Sequence, residues 1–146
     1  MKRILTATFL LLIFCSAQAQ DLIGLHEQKI REMMAADRPA LVMDSKVRNE
    51  TYRYLKYYSS DDEETWIVFI DERGRCSGVR ITCDNSCIDR KVRELNDLYK
   101  PGDRDIWNYR AGSDEITVRL RRGAYFFTVT WERAKHKGKS GNDRTA

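Results

Sequence analysis

Polar and apolar positions alternate along this chain in three ways. Residues 4–14 form an apolar run interrupted only by Thr6 and Thr8. Ile30, Met33 and Met34 then make a stripe at helical spacing that Pro39 ends. Ile88, Val92, Leu95 and Tyr99 make a second stripe, closed by Pro101-Gly102. Elsewhere the period drops to two or becomes short apolar runs, the signature of strands. Strands are expected over residues 40–45 and 51–59. A hairpin follows, with arms 66–70 and 75–83 around a D-E-R-G turn. A short piece at 105–110 leads to a second hairpin, 115–120 and 125–131, around an R-R-G turn. His26 is expected to cap the first helix, with Leu25 and Ile30 stapling its start, and Ser86 with Asp89 to open the second as a capping box.

The pattern predicts an α+β fold: an antiparallel β-sheet with two α-helices packed on one face. In the last hairpin Ile116, Val118, Leu120, Phe127, Val129 and Trp131 form the buried set, and Val79, Ile81 and Cys83 continue it in the earlier one. The helices align at an offset of 62, residues 27–33 over 89–95, with Pro39 falling on Pro101. Each is followed by meander-like sequence, which suggests a diverged duplication of an α-plus-meander unit.

Composition locates the chain rather than naming its chemistry. Lys2 and Arg3 precede the apolar run, and Ala17-Gln18-Ala19 offers a small-x-small cleavage site, so residues 1–19 read as a signal peptide. Phe14 occupies the place where lipidation at Cys15 would need a small residue. The expected division is a leader over 1–19, one α+β domain over 20–133 and a disordered basic tail over 134–146. The mature chain is expected to be periplasmic or extracellular, with no transmembrane span. The formal charge of +4 is carried by leader and tail, at +2 and +3, while residues 20–133 carry −1. A nucleic-acid-binding domain would concentrate cations on its body, so no nucleic acid partner is expected.

Candidate chemistry is sparse. Of the two histidines, His26 begins a helix and His136 lies in the tail. No nucleophile-elbow, phosphate-loop or H-E-x-x-H motif occurs. The acidic run Asp61-Asp62-Glu63-Glu64 lacks the alternation of a calcium loop and reads as a hairpin tip. Cys76, Cys83 and Cys87 match no zinc framework, so no metal, cofactor or catalytic residue is assigned. Cys83 and Cys87 could bridge across a strand-to-helix turn, worth about 2 kcal/mol by chain entropy. Trp66 and Trp107 read as core packing.

What remains is the second face of the sheet. Arg80, Thr82, Thr117, Arg119, Phe126, Thr128 and Thr130 point away from the buried set, and Tyr52, Tyr54 and Tyr58 share one side of their strand. Aromatic, Thr and Arg residues in place of Lys and Glu resemble a recognition surface, though cross-strand pairs that merely stabilise the sheet have the same composition. Arg80, Arg119, Phe126, Tyr52 and Tyr54 are the binding candidates. The opening Gly24-Leu25 with Ile30, Met33 and Met34, the helix–meander–helix–meander order and the leader together resemble small secreted bacterial α+β proteins. That set includes β-lactamase-inhibitor-like and outer-membrane-assembly-lipoprotein-like modules. The resemblance implies binding rather than catalysis and transfers no functional residues. The expected function is therefore a non-enzymatic module that binds a protein or cell-envelope component. An inhibitor or immunity-type protein and a periplasmic carboxylate-dependent hydrolase are the alternatives.

Overall fold

Strand formation follows the period-two pattern closely. A computed structural model describes residues 18–44, 53–61 and 63–134. The expected leader up to residue 17, Tyr52, and the tail beyond Ala134 lie outside the described residues. The strands are β1 (Leu41–Met43), β2 (Tyr54–Ser59), β3 (Glu64–Ile70), β4 (Cys76–Asp84), β5 (Lys100–Pro101), β6 (Ile106–Ala111), β7 (Asp114–Arg122) and β8 (Phe126–Arg133). All pair antiparallel in one eight-stranded sheet of order β1-β2-β3-β4-β8-β7-β6-β5. Each half is a meander of four strands, and the halves join where β4 pairs with β8. The order therefore reads alike from either edge.

Two longer helices precede the meanders, α2 (Glu27–Asp37) and α3 (Ile88–Leu98), and a single turn, α1 (Ala19–Leu22), precedes both. The imidazole Nδ1 of His26 accepts the Gln28 amide and caps α2 as expected. The start of α3 differs from the sequence-based expectation. Ser86 and Asp89 make no capping box; Asp84 at the end of β4 accepts the Ser86 amide at 2.8 Å and opens a 3-10 turn over Asn85–Cys87. An ionised carboxylate is a stronger acceptor than a hydroxyl, so the earlier residue takes the free amide. Lys100–Pro101 was not anticipated as a strand. It is an edge, where proline's missing N–H leaves no pairing unmet.

The buried positions form one cluster. Val68, Val79, Ile116, Val118, Phe127 and Val129 contribute from the sheet, Ile30 and Met34 from α2, and Leu95 from α3. Trp66, Trp107 and Trp131 are all in it. Their indole N–H groups donate to Glu64, to Asn96 at 2.9 Å and to the Tyr99 hydroxyl at 3.1 Å, so burial leaves no indole donor unmet. The cluster also takes in Ala19 and Leu22, at 3% and 0% exposure, so the residue expected to end the leader is part of the core. Just after that segment, backbone bonds between Gly24 and Cys76, Cys76 and Leu25, and Glu27 and Gly74 hold the chain against the start of β4 and the turn before it. Among the described residues no helix is long and apolar enough to cross a membrane.

Candidate functional site

One irregularity in β4 decides which side chains reach the solvent-facing side of the sheet. Counting by twos from the buried Cys76 would turn Arg80 inward. Instead the register shifts between Phe69 and Ile70: Phe69 faces Gly78 and Ile70 faces Cys76, leaving Ser77 as the extra residue of a bulge. One inserted residue inverts the phase of everything after it. Val79 and Ile81 are consequently buried and Arg80 is exposed. Glycine at 78 serves this crowding, because a Cβ there would lie 2.9 Å from the Trp131 carbonyl oxygen.

Antiparallel register then lines up the outward residues in cross-strand rows. The central row runs Lys56, Ile67, Arg80, Thr130, Arg119, Ile106. On one side of it lie Tyr58, Thr65, Thr82, Thr128 and Arg121. On the other lie Tyr54, Phe69, Gly78, Glu132, Thr117 and Asn108. The face is thus divided: β2 and β3 offer Tyr54, Tyr58, Ile67 and Phe69, while β4, β8 and β7 offer arginine and threonine. The Arg80 guanidinium sits 5.5 Å from the centre of the Phe69 ring and joins the two parts.

Arg80, Arg119, Arg121, Thr128, Thr130 and Glu132 line a hollow of about 380 Å³ on the arginine side. Arg119 approaches Glu132 at 4.0 Å, a loose contact between half-exposed groups. Among the described residues no ion pair engages Arg80 or Arg121. The hollow therefore presents guanidinium and hydroxyl donors with one carboxylate among them.

Of the sequence candidates, Arg80, Arg119 and Tyr54 lie on this face, the arginines in the hollow and Tyr54 in the aromatic part. Phe126 is 54% exposed beyond the hollow, paired with Asp84 next to the β7–β8 turn, where Tyr125 is 77% exposed. Tyr52 lies outside the described residues. Arg121 was missed because the strand was expected to end at Leu120; it extends to Arg122. The run Thr117, Arg119, Arg121 at spacing two was the available signal.

A second hollow, of about 400 Å³, lies where the β2–β3 turn meets the end of α2, lined in part by Asp37, Asp61, Glu63 and Glu64. It is the place a carboxylate-dependent hydrolase would need. The Ser59 hydroxyl and the Glu63 amide hold the Asp61 carboxyl below the usual carboxylate range, so it stays ionised at neutral pH and is no general acid. Glu64 accepts the Trp66 indole N–H. Among the described residues no group of three or more His, Cys, Asp or Glu is placed to hold a metal ion.

None of the three thiols lines either hollow. Cys76, Cys83 and Cys87 are all free in this structure, including the pair expected to bridge. Burial pushes the Cys76 thiol up to about 11 and the Cys83 thiol up to about 12. Neither is a nucleophile near neutral pH. No protein-family model, curated protein or solved structure matches this chain.

Proposed function

We propose that this protein is an exported, non-enzymatic binding module that captures an anionic component of the cell envelope on the solvent-facing side of its sheet. The observation that carries the reading is the row register that gathers Arg80, Arg119 and Arg121 around one hollow beside half-buried aromatic residues. Arginine with aromatic residues is the composition of interface hot spots. Arg80 and Arg121, which no ion pair among the described residues engages, favour an anionic partner. Export rests on the leader pattern of residues 1–19.

In this reading both helices cover the opposite face and leave the arginine face free. Supporting it, Arg38 at the end of α2 lies 5.0 Å from the centre of the Trp66 ring. Leu95 and Leu98 of α3 meet Trp66, Ile81, Trp131 and Ala19 around one small hollow on the buried side. The matching halves of the sheet order favour a diverged duplication. The helices match at an offset of 62, but β3 begins at Glu64 and β7 at Asp114, so the offset has fallen to 50. The first unit carries the longer connection between its first two strands.

Replacing Arg119 and Phe126 together by alanine tests the binding surface. Exposed positions of this kind change stability by about 0.5 kcal/mol or less. The double variant should keep its thermal midpoint yet lose the envelope species that the wild type retains from extracts and that mass spectrometry identifies. A fold that collapses, or a species retained undiminished, would overturn the reading.

A further inference from the structure

We infer that the hollow between β4, β8 and β7 is a site for a phosphate monoester. The inference rests on the proposed binding face and narrows what that face takes. Register roots the three arginines around the one hollow that they line together. Arg80 and Arg119 flank Thr130 in a single cross-strand row, two strand spacings or about 10 Å apart at the backbone. Arg121 stands two residues along β7 from Arg119, about 7 Å away on the same face, opposite Thr128. Side chains of arginine length rooted at such a triangle can meet over the two threonines.

Charge selects the ligand. Three guanidinium groups against one carboxylate give the hollow a formal charge of +2. A phosphate monoester carries about −1.5 to −2 at neutral pH with three acceptor oxygens, so it matches both the charge and the donors. A phosphodiester or a single carboxylate brings one negative charge and leaves the site undercompensated. The volume of about 380 Å³ falls in the range of small-molecule sites, about 300–1,000 Å³, so a glycerol- or sugar-sized body fits behind the phosphate. Glu132 then has a role that an ion pair alone does not give it. Only loosely engaged with Arg119 at 4.0 Å, it is left able to accept hydroxyl groups of the attached body.

The measurement is a titration of the protein, followed by amide chemical shifts and by calorimetry, with glycerol 3-phosphate, inorganic phosphate and succinate. A parallel arm uses phosphatidylcholine vesicles carrying phosphatidic acid, a monoester, or an equal amount of phosphatidylglycerol, a diester. The monoesters should bind in preference to succinate and to phosphatidylglycerol. Binding in both arms points to a free ligand, and binding to phosphatidic acid vesicles alone to a lipid head group; either supports the site. Arg80→Gln and Arg121→Gln should each weaken binding about tenfold or more at unchanged thermal midpoint. Glu132→Gln, which raises the formal charge, should tighten inorganic phosphate. Equal affinity for succinate, or indifference to both arginine substitutions, overturns the assignment. If no phosphate probe binds while the Arg119/Phe126 double variant still loses its captured species, the phosphate site falls and the binding face stands. If that species is also retained, both fall.

Discussion

Three thiols on neighbouring elements meet three different surroundings. Cys76 is fully buried with its sulfur 3.4 Å from the Gly78 carbonyl oxygen, and Cys83 is buried with the Glu64 carboxylate adding to the cost of ionisation. Cys87 sits half-buried at the start of α3, 3.8 Å from the Ser86 hydroxyl. Only the thiolate attacks an alkylating agent. In reduced protein at pH 8, iodoacetamide should therefore modify Cys87 first and reach Cys76 and Cys83 only after denaturation. Oxidation that joins Cys83 to Cys87 would remove two hydrogens and shield both from alkylation, so intact mass separates the two forms. Simultaneous labelling of all three thiols in folded protein would contradict the burial. Arg121 belongs to the same scale: its chemistry was as plain in the sequence as that of Arg119, but assigning it to the face required knowing where β7 stops.

Elements were more legible than their junctions. The alternation in β7 and β8 named every buried residue of the last hairpin, because a half-buried antiparallel pair repeats strictly every two residues. His26 as the cap of α2 was readable from the staple around it. The opening of α3 was not, since Asp84, Ser86 and Asp89 are all competent caps and the strand end decides among them. The bulge at Ser77 left only a faint trace, a glycine within a strand pattern. Yet it sends Arg80 outward, and the hollow depends on it. Gly78→Ala should force β4 and β8 apart at the Trp131 carbonyl and cost about 1–3 kcal/mol, measured by chemical denaturation. A neutral substitution would mean that the strands have slack there. The short α1 tests differently. Leu22 is fully buried in a helix too short to persist alone, so Leu22→Ala should cost about 2–5 kcal/mol.

For the molecule as a whole, proton linkage sets the range of pH over which the fold is strongest. The Cys76 thiol is held up at about 11, and the Cys83 thiol and the Tyr99 hydroxyl at about 12, each chiefly by burial. In an unfolded chain thiols ionise near about 8.5 and tyrosine near about 10. As pH rises the unfolded state loses its protons first, so stability is full below about 8.5 and falls progressively towards about 12. At the acid end Glu27 is held below its usual range, chiefly by the hydrogen bond from Arg31 with Arg53 assisting. Its contribution is present above about 4.3 and is lost as pH falls through the lower folded value. Thermal midpoints across that span should form a plateau with both shoulders, and the alkaline one should shrink in a Cys76→Ala, Cys83→Ala variant. The burial of Ala19 and Leu22 reaches beyond equilibrium stability. A peptidase that severs the bond after Ala19 must find an extended substrate, and once the core has closed over that residue the bond is out of reach. If the protein is exported as proposed, cleavage after Ala19 and closure of the core over that residue would be rival clocks, and a molecule that folded first would resist processing.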